Sequence, residues 1–223
     1  CKERVKKPIR LVLSVYSNMI YRLFEYRFDE IEDYSSISLV KSKNYSLQDT
    51  TITQEDLLNV RRDTEITEND DKDKRKVSFP QANVMEKVIS LMENLYHNPM
   101  TKQQIAELMN FDERQSDYYY NAGCYLELFQ KAENNDRELT RLGERVFKMN
   151  YKERQLHIVS LILKHKIFAD FFDSIINTGS LPNKKEIEER MIALNICNNC
   201  DTLSRRANSV LGWLKWIFNL TNI

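Results

Sequence analysis

The residues that bend and staple polypeptides are scarce in this sequence. Only 4 glycines and 4 prolines occur in 223 residues, which predicts long helices joined by few tight loops. Four cysteines in a chain of this size do not make a disulfide framework, so a reducing cytoplasm is the expected setting. No apolar run approaches the roughly 20 residues that span a bilayer. The basic stretch from Lys2 to Arg10 precedes a segment broken by Ser14, Tyr16, Ser17 and Asn18, so no secretory signal is read either. Neither sign of charge prevails: 33 Lys and Arg face 33 Asp and Glu, for a formal net charge of zero. Because phosphate neutralisation supplies most non-specific affinity for nucleic acid, the balance weighs against a stand-alone DNA coat protein: any basic surface has to be local, or binding weak and assisted by the rest of an assembly.

What is present has the composition of a globular chain, 42% hydrophobic and 30% charged. Richness in Lys, Asn and Ile fits an AT-rich bacterial genome, and a start at Cys1 rather than Met marks an expected fragment of a longer protein. The sequence divides into three parts. Residues 1–76 form a small α/β N-terminal segment: a helix over 9–22 after Pro8, then Leu23 to Phe28 as its continuation or a strand, then a β-leaning stretch from Ser38 to Leu47. This segment ends in a polar run whose core, Glu68 to Lys76, reads as a solvated linker. Residues 77–150 and 151–223 are helical, and the fold class expected is mainly α.

The middle part is the most informative. Thr101 to Met109 reads as a short amphipathic helix with Ile105, Leu108 and Met109 on one face. Asn110-Phe111 makes a tight turn, and Asp112 opens a second helix with Gln115 placed to complete a capping box. Two short segments, Leu128 to Glu133 and Arg137 to Thr140, flank Asn134-Asn135-Asp136, residues that tolerate the left-handed backbone of a hairpin. Helix, turn, helix, β-wing, helix is the layout of a winged helix-turn-helix, which places a helix in the DNA major groove. The last part restarts the rhythm. A long helix from Lys152 to Asn177 leads to Asn183 to Met191, which repeats the pattern of Thr101 to Met109, and Asp201 opens a final helix to Leu220. A second helix-turn-helix-like unit, without a wing, is expected.

Placing Tyr118, Ala122, Tyr125 and Phe129 inward turns Ser116, Tyr120, Gly123 and Glu127 outward on the first recognition helix. Arg114 at its N-terminus suits guanine, and Gln115 suits either adenine or the cap. Glu113, Asp117 and Glu127 oppose phosphate. On the last helix, Leu203, Ala207, Val210, Leu214 and Ile217 inward leave Ser204, Arg205, Asn208, Gly212 and Lys215 outward, with Arg206 on the flank or paired to Glu188 or Glu189. Gly212 costs roughly 1 kcal/mol in mid-helix, which calls for close approach there by a phosphate or a neighbouring helix. Trp213 and Trp216 are packing residues. Lys131 and Arg137 beside the wing tip are candidates for phosphate contact.

Catalytic and metal chemistry find little support. Cys197-Asn-Asn-Cys200 has a metal-ligand interval, but zinc takes four ligands and no second pair follows. His157 and His165 sit on an apolar helix as packed polar tips. Asp70-Asp71-Lys72 lacks the apolar strand that a nuclease motif needs. No catalytic constellation stands out, and no metal or cofactor is expected.

Phe79-Pro-Gln-Ala82, Arg114-Gln-x-Asp-Tyr-Tyr119-x-Asn-Ala122, Leu139-Thr-x-x-Gly143 and Thr202-x-x-Arg-Arg206 with Trp213 and Trp216 together resemble a family. It is the winged-helix DNA-binding module of bacterial restriction-modification proteins, often found beside a type II restriction endonuclease domain; the resemblance spans about residues 77 to 220. It implies recognition of double-stranded DNA for a nuclease domain in the same or another chain. It points to Arg114, Gln115, Tyr119, Arg205 and Arg206, and includes Thr202 in its last motif. One departure bears on the path into the wing: the family has Gly after the Tyr-Leu that closes the recognition helix, and this chain has Glu127. Rival readings are a protein-interaction or homodimerisation module, a dimeric winged-helix transcriptional regulator, and an enzyme completed by residues beyond this sequence.

Overall fold

A computed structural model describes residues 10–14, 21–27, 40–41, 51–110 and 112–221, the backbone alone for the first three stretches and for Cys200. Among these residues the chain is mainly helical, with nine helices, one small antiparallel sheet and one hairpin.

The sheet corrects the first expectation. Where a helix over 9–22 is expected, β1 (Arg10–Ser14) pairs antiparallel with β2 (Tyr21–Arg27), with Arg10 opposite Arg27 and an irregularity between Val12 and Ser14; residues 9 and 15–20 lie outside the described residues. β3 (Val40–Lys41) adds to the other edge of β2. A short apolar run has no periodicity that separates strand from helix, and Val12 with Tyr21, Phe24 and Tyr26 supplies the β-branched and aromatic residues that strands favour.

The polar stretch before Lys76 is not a plain linker. Thr53 and Asp56 form a full capping box that opens α1 (Gln54–Asp63), a helix whose Leu57 is buried. The missed signal was Thr-x-x-Asp ahead of Leu57, a capping-box variant with Asp in place of Glu. α2 (Met85–His97) buries the expected stripe of Val88, Leu91, Met92 and Leu95. α3 (Lys102–Met109) begins with a capping box of Thr101 and Gln104 and ends at Asn110 in the left-handed region, φ 51°. Ile105 of α3 is fully buried, whereas Leu108 is half exposed. α4 (Glu113–Tyr125) follows from its cap Asp112, and β4 (Phe129–Lys131) and β5 (Arg137–Leu139) close a hairpin with Lys131 opposite Arg137. Met100 bridges Arg137 through backbone bonds of 2.9 and 2.8 Å, adding a single-residue third rung to the hairpin. Thr140 caps α5 (Arg141–Lys148).

The expected long helix from Lys152 to Asn177 is two helices, α6 (Tyr151–Leu163) and α7 (Lys166–Thr178). No Pro or Gly breaks it; the backbone amides of Thr67 and Glu68 take the carbonyl of Lys164 at 3.1 and 3.2 Å, and His165 turns extended. The interruption is therefore imposed by tertiary contact. α8 (Lys184–Ala193) starts with a capping box of Asn183 and Glu186 and buries Ile187 and Met191. After Asn195 at φ 54°, α9 (Cys200–Asn219) starts from Asn199.

One core joins both helical parts. Phe168 stacks on Phe79 and on Trp213, with ring centroids 6.2 and 5.3 Å apart, and Tyr125 meets Phe79 edge-on at 5.4 Å. Trp213 and Trp216 are both buried, and the Trp213 indole donates to the Ala82 carbonyl at 2.8 Å. None of the described helices is long and apolar enough to cross a membrane.

Candidate nucleic-acid interface

The first turn of α4 projects from the core: Asp112, Glu113, Arg114 and Gln115 are all exposed. Asp112 spends its carboxylate on the Gln115 amide, 2.7 Å, so the exposed Gln115 side chain is presented by a capped turn. Arg114 folds back on Tyr118, its Nε donating to the phenol at 2.5 Å with the guanidinium 5.6 Å from the ring centre. Part of the acid on this helix is neutralised locally. Asp117 lies 2.7 Å from both Lys102 and Arg137, and Lys102 also reaches Glu113 at 3.6 Å. These carboxylates raise the ordinary basicity of the Lys102 amine, Asp117 first.

Beyond that turn the expected outward face of α4 is wrong. Ser116, Tyr119, Tyr120 and Gly123 are buried. α4 is covered on two sides, by α2 and α3 and by the hairpin, so its core wedge is wider than one stripe. A Cβ on Gly123 would fall on the Phe129 ring, and Tyr120 stacks near that same ring, centroids 6.2 Å apart. Burial pushes the Tyr119 and Tyr120 phenols up, so both stay neutral and serve packing. Tyr119 and Tyr120 are therefore withdrawn as DNA contacts. Arg137 is withdrawn as well: only 8% exposed, it is clamped by Asp117 and lies 4.9 Å from the Tyr120 ring centre. Lys131, its partner across the hairpin, stays exposed beside the turn at Asn135, φ 66°.

Glu127 occupies the left-handed region, φ 59°, between α4 and the hairpin. This is the position where the resembled family has glycine. Holding Glu127 in this conformation costs of order 1 kcal/mol, because sterics disfavour a side chain there.

On α9 the spacing is read correctly at the exposed positions. Arg205, Asn208 and Lys215 are exposed, Ser204 and Thr202 are half-buried, and Ala207, Val210, Leu214 and Ile217 are buried. Among the described residues Arg205 is held only by its own helix, Nε donating to the Asp201 carbonyl at 3.3 Å. Gly212 answers the question its position raised. A Cβ there would collide with the backbone carbonyl of Asn83, so the close neighbour is the chain entering α2. Arg205 and Asn208 lie before this contact and Lys215 after it, so the free basic face is the N-terminal half of α9. Arg206 points the other way, donating to the Ile196 carbonyl at 3.4 Å rather than pairing with Glu188 or Glu189, and its buried Nε has no partner among the described residues. It is withdrawn as a DNA contact.

The strongest polar cluster was missed. Asp70 is 6% exposed and no part of a solvated linker. Its Oδ1 accepts from the Tyr125 hydroxyl at 2.7 Å and lies 3.0 Å from His165 Nδ1, and the Tyr125 and His165 rings stack at 3.9 Å. Burial and the adjacent carboxylate push the Tyr125 phenol well up. Arg75 donates to the Asp70 and Ile196 carbonyls at 3.0 and 2.9 Å. Lys72 bonds to the Asn195 carbonyl, and the Asn195 amide bridges Asp71 and Asp73 at 3.0 and 3.1 Å. Residues 67 to 75 thus form a strap tying α4, the α6–α7 break and the α8–α9 turn together. The available signal was indirect: a buried Tyr and a buried His each need a polar partner. No group of three or more metal-binding side chains converges among the described residues, and Cys197 is a buried free thiol bonded to the Asn199 carbonyl.

The geometry defines a mainly helical protein with two turn-linked helix pairs. The chain belongs to the family described as Domain of unknown function (DUF7226), whose profile matches residues 87–222. A second profile, Domain of unknown function (DUF6997), matches residues 1–46. No curated protein and no solved structure matches the chain. Both helix pairs fall inside the one matched span, and the strap lies outside both.

Proposed function

We propose that this protein binds double-stranded DNA as the recognition part of a restriction-modification type protein, through a winged helix-turn-helix and a second, wingless unit. The observation that carries the reading is the order α2, Met100 rung, α3, α4, hairpin, α5, with the first turn of α4 standing clear of the core. In such units the first residues of the second helix meet base edges. Arg114 and Gln115 are the base-reading pair of the first unit and Lys131 its phosphate contact. Arg205 and Asn208 read from the second, with Thr202 at the helix start and Lys215 on its far side. Cutting would be the task of a nuclease domain in the same or another chain. With zero net charge, affinity rests on this local set and is modest, and its few phosphate contacts give a shallow salt slope.

The test is duplex binding across a salt series for the wild type, the phosphate-contact variant K131A, and the base-reading variants R114A/Q115A and R205A/N208A. Each removed phosphate contact should flatten the log-log salt slope by about one, and each lost bidentate base contact should cost about 1–3 kcal/mol in discrimination. Unchanged affinity and slope in both double variants would abandon the DNA reading. The half-exposed Leu108 beside Pro99 and Met100 favours the second reading, a protein-docking or homodimer surface on α3. Under that reading L108E changes the mass seen by light scattering and leaves DNA unaffected.

A further inference from the structure

An open groove of about 760 Å³ runs between α1 and α6, away from every residue assigned to DNA. Its floor includes Val60 and Leu156, and its rim carries Asp63, Glu65 and Glu153, with Lys164 among the lining residues. Asp56 also lines it but is committed to Lys152 at 2.7 Å, and Arg62 reaches Asp63 only at 3.7 Å, both side chains largely exposed. His157 lines the same groove, and its buried Nε2 has no partner among the described residues.

We infer that this groove is a docking site for a basic segment of a partner protein, whose aliphatic stems lie on Val60 and Leu156 while a lysine or arginine head meets the rim carboxylates. Charge complementarity selects the occupant. The three rim carboxylates are acceptors, and long cationic side chains bury their stems on apolar surface while the head stays polar. Burial, then Lys164 and Arg145, pulls the His157 imidazole below its ordinary value, so at neutral pH its ring is uncharged and one nitrogen accepts a proton-bearing guest. Nucleic acid is repelled by the same rim. This surface is independent of the DNA proposal.

The probe is a fluorescein-labelled 12-residue peptide of alternating lysine and leucine, with a glutamate-leucine peptide as its mirror in charge. Fluorescence anisotropy should report binding of the basic peptide only. D63N/E153Q alters two exposed side chains, so it should fold unchanged by far-UV circular dichroism and bind the peptide roughly fivefold more weakly. The His157 ring resonances should shift on peptide addition. Equal binding of the acidic peptide, wild-type affinity in D63N/E153Q, or unmoved His157 resonances would each overturn the assignment.

Discussion

The helix pairs α3–α4 and α8–α9 begin alike and end differently. Each opens with a full capping box, Thr101 with Gln104 and Asn183 with Glu186, then buries an isoleucine, Ile105 or Ile187. Each turn carries an asparagine in the left-handed region, Asn110 or Asn195. From there they diverge. The first uses its lysine, Lys102, to quiet the acids of its own second helix and goes on into a hairpin. The second has its turn bound by the strap and leads into a 20-residue helix whose exposed Arg205 and Asn208 face no acid on their own stripe beyond Asp201. Local sequence rules place the start of both helix pairs, while long-range partners decide which cations remain free to act.

Cutting the strap is the severest way to break this comparison. D70A leaves the Tyr125 hydroxyl and His165 Nδ1 without their shared acceptor, a loss expected at about 3 kcal/mol. Both tryptophans lie in α9 and Trp213 packs on Phe168 and Tyr125, so their fluorescence follows the seating of α9 in the shared core, whereas far-UV circular dichroism follows all helices. Urea transitions from the two probes should coincide in the wild type and separate in D70A; coincident transitions in D70A would mean the core alone couples the pairs. G212A comes next. The added methyl meets the Asn83 carbonyl, and despite the helix propensity gained, a net loss of about 2 kcal/mol is expected in chemical denaturation.

The left-handed residues sharpen the contrast at smaller scale. E127G relieves its backbone and should stabilise by about 0.5–1 kcal/mol, and N110G should change little. N195G keeps the turn but removes the amide that bridges Asp71 and Asp73, so it should destabilise by about 1 kcal/mol. Equal effects of N110G and N195G would show that the strap contributes nothing at that turn. The smallest effect concerns His157. Its folded-state value lies below the ordinary 6.5, so the unfolded chain binds its proton first as pH falls. Stability linked to this group is complete above 6.5 and declines as pH drops from there towards the lowered value. NMR titration should place the His157 midpoint below 6.5, and a midpoint at or above it would refute the burial argument.

Residues 101 to 147 were legible because caps, turn asparagines and a hairpin signal agree there within a few residues of one another. Arg205, Asn208 and Lys215 were legible on α9 because one face of a long helix repeats cleanly. The α4 face was not: with cover on two sides, its buried positions follow contacts with Phe129 and α2, which no single period encodes. Nor was the break at Lys164–His165, made by backbone groups of Thr67 and Glu68 almost a hundred positions away. Asp70 was hidden by its neighbours, since a charged run advertises solvation for every member alike.

The most hydrophilic run in the sequence is also where one would be tempted to cut the chain and express the helical part alone. A polypeptide starting at residue 77 would lack the carboxylate that receives Tyr125 and His165, the peptide groups that interrupt α6 from α7, and the guanidinium seated on Ile196. Such a fragment would retain every residue of the family span and yet be left with unpaired polar atoms deep in its aromatic centre.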